Sequence, residues 1–411
     1  MVCMVPLICR IRGTVILQLW YKIIFCCLYA GGLVGIHKYA GYNVSIPKDI
    51  LPVISVVVGL LLVFRTNTAY DRFWEGRKEW ALLTVYIRNL ARTFWIMVDD
   101  HNDSSVIVEK VTVINLLVAF AYATKHYIRS EYSYEEEDLR DLIAFLPRTF
   151  FPSSTTPLHE QESQVKQIRE GTQGNIPAKK APPPPPPTTE NAKKRRASVP
   201  YVASSYDSVP TNIPLEISYY IQSYIKTVKD RNLIDNPTCR ILDTALGNMI
   251  NCLTGFERIR RTPIPMSYSV HLHHATWIVI LIVPVTWIKD VGWGTVPAIG
   301  VAAFCLLGIL EIGREIENPF GYDFNDLNLD DFCQIIHKEC VAIVAQKFPD
   351  PKEWLFSETN RPIIANAKSA VDLAKMNNDQ IMIMLNAEKD YIFSDKHPHE
   401  HKVKFNNTLP V

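Results

Sequence analysis

This chain of 411 residues has almost no charge imbalance: 43 Lys and Arg stand against 42 Asp and Glu, a net charge of +1. That balance gives no electrostatic footprint for nucleic acid. Paired cysteines are missing too. The nine cysteines are scattered and odd in number, with no CxxC pair, so they read as reduced or buried thiols rather than a disulfide framework or a zinc site. There is no Gly-rich phosphate loop, no nucleophile elbow and no His-Glu-x-x-His, so no enzyme constellation is in view. His271, His273 and His274 cluster, but no carboxylate or cysteine lies beside them in sequence. They read as an interfacial, hydrogen-bonded group rather than a metal site. Arg10 and Arg12 precede an apolar run, as in a signal peptide, but no small-residue cleavage site follows.

What the chain does have is unevenly placed apolar sequence. Four segments stand out, at residues 14–36, 50–64, 268–288 and 291–312. The first carries Gln18 and Lys22 near its start, where Lys22 either snorkels to an interface or faces a bundle interior. Pro284 predicts a kink in the third. Only Lys289 and Asp290 separate the third from the fourth, which predicts a tight antiparallel pair. Basic residues flank one end of each segment: Arg10 and Arg12; Arg65, Arg72, Arg77 and Lys78; Arg258, Arg260 and Arg261; Arg314. The positive-inside rule then places both termini in the cytosol.

The second segment is the most informative. Residues 53–64 are almost wholly apolar and pass without a turn signal into Arg65-Thr-Asn-Thr-Ala-Tyr-Asp-Arg-Phe-Trp-Glu-Gly-Arg-Lys78. Twelve apolar residues are short for a straight span. Leu83, Tyr86, Ile87, Leu90 and Phe94 then recur at helical spacing, so one helix is expected to begin in lipid and end in water. A fifth run at residues 111–122 is read as a buried helix of a cytosolic bundle, because a dozen apolar residues are more often core than span. Further helices are expected at residues 213–228, 240–256, 330–346 and 363–385.

Residues 152–210 differ in kind. Six consecutive prolines at 182–187 precede Lys193-Lys-Arg-Arg-Ala-Ser198, with few aliphatic residues to bury. The segment reads as a disordered, basic insertion. Ser198 in Arg195-Arg-Ala-Ser suits a basophilic kinase, and the proline tract suits a polyproline-binding domain.

Three blocks resemble the bestrophin family, in its bacterial, fungal and plant branch. They are residues 64–78 around Tyr70-Asp71-Arg72-Phe73-Trp74; Glu257-Arg-Ile-Arg-Arg-Thr-Pro263-Ile-Pro265-Met-Ser-Tyr268; and Glu315-Ile-Glu-Asn318-Pro-Phe-Gly-Tyr-Asp323-Phe-Asn325-Asp326-Leu. The resemblance covers residues 10–150 and 212–345. It implies an all-α membrane protein of four transmembrane helices plus a cytosolic helical bundle, assembled as a homopentamer in a lipid bilayer. The implied function is an ion channel, usually passing anions such as chloride. The second helix would line the central pore, with a hydrophobic neck at Val56, Leu60 and Phe64, and Arg65 would stand at the pore mouth or make an interfacial or intersubunit ion pair with Asp71 or Glu75. A second, cytosolic constriction is implied within residues 238–241. Animal members hold calcium after the fourth span. The matched positions here are Glu315, Asn318, Asp323 and Asp326, but the loop is not an EF-hand and its acidic run is diluted by Phe324 and Asn325.

The expected organisation is a first transmembrane helix over residues 14–36 and a pore-lining second over 50–100 that continues into the cytosol. Cytosolic helices follow over 101–151, then the insertion over 152–210 and further cytosolic helices over 212–262. Transmembrane helices three and four cover 268–288 and 291–312. A loop and cytosolic helices cover 313–392, and a disordered tail 393–411. Two alternatives stay open: a cation-selective channel of the same fold, and a membrane-anchored scaffold using the Pro-rich insertion. No nucleic-acid partner is expected.

Overall fold

The computed structural model describes residues 13–42, 46–47, 49–101, 103–147, 151, 211–347, 349–363 and 368–393. The insertion, with its proline tract and Ser198, lies outside the described residues, as does the tail from residue 394. The described chain is helical, with one isolated antiparallel bridge, Ile363 to Lys368. Two units are separable, residues 1–344 and 345–411.

The first unit is organised around one helix. α1 is Ile16–Tyr39, α2 is Ile50–Met97 and α3 is Ser104–Arg129. At 1.5 Å per residue, the 48 residues of α2 extend about 72 Å, more than twice the hydrocarbon thickness of a bilayer. The short α4 (Arg140–Ile143) precedes the insertion. α5 is Ile213–Asp230, α6 is Asn236–Arg261 and α7 is Met266–Val291. A 3-10 turn, Gly292–Gly294, leads into α8 (Thr295–Glu315), and α9 is Leu329–Ala345. Caps set several of these limits. Asp103, Asn212 and Asp235 each accept a backbone N–H of the first turn of α3, α5 and α6. Pro263 and Pro265 separate α6 from α7. α7 runs unbroken through Pro284.

α2 threads two cores. Its upper part contributes Val58 and Leu62 to a core with Leu19, Cys26, Leu272, Ile280, Ile299 and Leu307 of α1, α7 and α8. Its lower part contributes Trp80, Leu83, Ile87, Leu90 and Phe94 to a larger core with α3, α5, α6 and α9. Lys22 faces the bundle interior, 3.5 Å from Glu311, which is itself buried.

Length and apolar content make four stretches capable of crossing a membrane: α1, α2, α3 and the α7–α8 pair taken as one. Burial separates α3 from the rest. Two-thirds of its apolar window (67%) is covered by the protein's own packing, against 17% for α2 and 22% for α1. A helix that faces lipid leaves much of its apolar surface uncovered within one chain; α3 instead is the centre of the lower core.

The second unit holds α10 (Pro351–Leu355), α11 (Ala370–Ala374) and α12 (Asn378–Phe393). The single helix expected over residues 363–385 is thus not formed. Ser369 caps a new start by accepting the Asp372 N–H, and Asn377 stands where α11 and α12 part.

Candidate functional site

α2 carries two faces. Val58, Leu62, Arg65 and Ala69 recur at helical spacing and are buried. On the other side Val56, Leu60 and Phe64 form a stripe one turn apart, with 71%, 55% and 55% of their surface exposed. Val53 and Val63 are exposed beside it. The exposed side continues downward through Asn67, Asp71, Trp74 and Lys78, passing from apolar to polar at the turn after Phe64. Two hydroxyls bond back into the helix here, Thr66 to the Leu62 carbonyl at 2.9 Å and Thr68 to the Phe64 carbonyl at 2.8 Å. The Tyr268 hydroxyl donates to the Leu61 carbonyl at 3.0 Å, fixing α7 against this turn.

Arg65 corrects two expectations. Its side chain is only 3% exposed, so it stands behind the stripe and not at an open mouth. Within the chain its partner is neither Asp71 nor Glu75 but Glu317, with Nη2 2.6 Å from Oε2. The reason is angular. Asp71 is six residues on and points about 120° away from Arg65 at 100° per residue. Glu75 pairs with Arg258 instead. Glu317 also accepts the Ile264 N–H at 2.9 Å, and its backbone carbonyl accepts Arg72 Nε at 3.0 Å. Arg72 reaches on to the carbonyls of Ile259, at 2.6 Å, and Thr262.

The loop after α8 folds on itself. Glu315 Oε1 accepts the Asn325 side-chain amide at 3.1 Å, and Asp326 Oδ2 accepts the Asp323 N–H at 2.8 Å. Among the described residues Asp326 Oδ1 is buried without a partner. Burial, reinforced by the charges of Asp323 and Glu315 against the opposing Asp323 N–H, pushes the Asp326 carboxyl up to about 6. Among the described residues no group of three His, Cys, Asp or Glu side chains is placed to hold a metal ion. His273 Nδ1 lies 2.8 Å from the Ser269 carbonyl, a hydrogen-bonding contact within α7.

Within residues 238–241, Thr238 and Cys239 are buried while Arg240 and Ile241 are exposed, Ile241 at 57%.

A charged cluster that the sequence does not advertise closes the lower end of α3. His126 Nδ1 lies 2.5 Å from Glu131 Oε2 and Nε2 lies 2.7 Å from Asp138 Oδ1. Both ring nitrogens face carboxylate oxygens, which accept when ionised, so the imidazolium, with two N–H donors, satisfies both contacts. Lys125 bonds to Asp138, and to Asp330 at 2.7 Å. Arg129 Nε donates to the Phe320 carbonyl at 3.1 Å, and its guanidinium stacks on Tyr322 with the ring centroid 4.1 Å away. Helical spacing placed His126 beside an apolar run, but its partners come from a later loop that carries no periodic signal.

The family model for bacterial and fungal bestrophin proteins matches residues 3–342. The chain is 34% identical over 325 residues to a voltage-dependent anion channel-forming protein of Synechocystis, covering 79% of this chain and 86% of that one. It is 34% identical over 333 residues to a protein of the same description from Nostoc, covering 80% and 88%. A crystal structure of a bacterial bestrophin homologue from Klebsiella pneumoniae superposes with a TM-score of 0.57 at 18% identity, covering 80% of this chain and 99% of that one. This chain belongs to the bacterial and fungal bestrophin family and has its all-helical membrane-protein fold.

Proposed function

From that membership, we propose that the chain assembles as a homopentamer and conducts small anions, chloride among them, passively across a membrane. The four membrane-crossing helices are α1, the upper part of α2, α7 and α8, with α3, α5, α6 and α9 in the cytosol together with both termini. Five copies of α2 surround the pore. Val56, Leu60 and Phe64 form its hydrophobic neck, and Ile241, the exposed apolar residue at the start of α6, forms the cytosolic constriction.

The observation that carries this reading is the division of α2 into a buried face and an uncovered apolar stripe. Apolar side chains facing an aqueous axis make a passage that can empty of water, so small displacements of the helices switch conduction. The anion preference rests on the description that the two cyanobacterial relatives carry. No charged side chain lies on the stripe between Val53 and Phe64, so the neck sets passage more than sign.

The cation-conducting alternative has one observation of its own. Asp71 is exposed two turns below Phe64 on nearly the same line. Five such carboxylates on one axis would attract cations.

The test is Phe64→Ala in planar bilayers. The reading expects a changed unitary conductance or gating pattern. Single-channel records indistinguishable from the wild type would remove Phe64 from the pore.

A further inference from the structure

The neck reading leaves open what positions the turn of α2 that carries Phe64. Directly after Phe64 the chain turns to the buried face, and there the Arg65 guanidinium is held through Nη2 alone, by Glu317. Its Nε and Nη1 are buried with no partner among the described residues. A bidentate fork would lock a guanidinium in one orientation. Here one short, buried, charge-assisted contact ties α2 to Glu317.

Glu317 is where three segments meet. One carboxylate oxygen takes Arg65 of α2, and the other takes the Ile264 N–H of the link between α6 and α7. Its own backbone carbonyl takes Arg72, seven residues after Arg65 and so on the same face of α2. Arg72 in turn binds the Ile259 carbonyl at the end of α6. Three residues beyond Glu317, Phe320 is buried in the lower core against Phe256, with ring centroids 5.7 Å apart. The post-α8 segment is therefore anchored below and reaches α2 immediately behind the neck. Gly313, one turn earlier in α8, lies beside the Arg65 stem: a Cβ there would make an ordinary van der Waals contact with Arg65 Cγ, at 3.6 Å.

We propose that Arg65 and Glu317 are positioning residues for the channel gate: their ion pair sets the rotation of the α2 turn that places Phe64 in the neck, and so makes conduction answer to the post-α8 segment. The inference rests on the neck reading. Neither residue touches the permeating ion; each acts through Phe64. Loss of either charge leaves the other buried and uncompensated, so the effect of each substitution depends on the presence of the other.

The experiment is a double-mutant cycle on the full chain reconstituted in planar bilayers, with Arg65→Gln, Glu317→Gln and the pair. Each single substitution is expected to shift the open-to-closed ratio at least ten-fold, with the open-state unitary conductance kept within a factor of two. The double mutant should fall well short of the product of the two. Singles that leave the ratio within two-fold of the wild type, or effects that multiply in the double, would overturn the proposal. Phe64→Ala run alongside separates the two readings. If it changes conductance while the cycle is multiplicative, the neck stands and the positioning role fails; if it changes nothing, the neck itself fails. Should Glu317→Gln not yield folded protein, Glu317→Asp, which keeps the charge and shortens its reach, completes the same cycle.

Discussion

Phe320 closes on the bare backbone of Gly76: a Cβ added to Gly76 would stand 2.9 Å from Phe320 Cε1. This contact fastens the loop after α8 to α2 three turns below Phe64. It gives both a glycine in the middle of a long helix and an aromatic residue in a loop a reason to be there. Phe320→Ala should empty a buried site and cost about 3–5 kcal/mol. Gly76→Ala should overpack the same site at a cost of about 1–3 kcal/mol. Thermal unfolding in detergent should show both below the wild type, with Phe320→Ala lower.

His126 predicts a loss of stability toward alkaline pH. Burial opposes its protonation, but the hydrogen bonds to Asp138 and Glu131 outweigh burial and raise its pKa above the ordinary 6.5. The native protein therefore keeps this proton where the unfolded chain has released it. The stabilisation is complete below about pH 6.5 and declines as the pH rises through the native value. Unfolding midpoints from pH 6 upward should fall in the wild type and fall less steeply in His126→Gln.

Asp138 predicts the acid side. Burial would push its carboxyl up, yet the hydrogen bonds from His126 and Lys125 hold it at about 2. Its contribution is present above about pH 4 and disappears as the pH falls toward the native value. Asp138→Asn should be less stable than the wild type at pH 6, and the gap should narrow as the pH approaches 2.

The burial of α3 makes a topological prediction. Val108 is an exposed apolar residue on α3, and Leu28 is one on α1. In a background of Cys3→Ser, Cys9→Ser and Cys305→Ser, which removes the exposed thiol of the described residues and the two outside them, Val108→Cys should react with a membrane-impermeant maleimide applied from the cytosolic side. Leu28→Cys should resist reagent from either side. Protection of Val108→Cys from both sides would place α3 in the bilayer.

Much of the fold was legible because it is periodic. The passage from residues 53–64 into Arg65–Lys78 showed one helix leaving an apolar environment, and α2 runs through it unbroken. The apolar run at residues 111–122 belongs to a 26-residue helix that is long and apolar enough to span, so its burial, not its length, is what supports the core reading. Contacts without a period were not legible. Arg65 was read against acidic residues close in sequence, whereas its partner lies 252 residues away. The His126 cluster joins a helix end to loop carboxylates whose approach depends on chain reversal at Ser130, in the left-handed region with φ of 66°. The helix expected at residues 363–385 failed for a local reason: Ser369 offers the backbone a new N-cap inside an otherwise helical pattern. The helix register around residues 238–241 was not legible; the burial of Thr238 and Cys239 sets it and leaves Arg240 and Ile241 exposed.

The most direct measurement is the reversal potential of the purified, reconstituted protein under a KCl gradient in planar bilayers. An anion channel with an apolar neck on α2 predicts reversal close to the chloride equilibrium potential. Reversal close to the potassium equilibrium potential would contradict the anion reading and turn attention to Asp71, whose replacement by Asn should then move the reversal potential back toward zero.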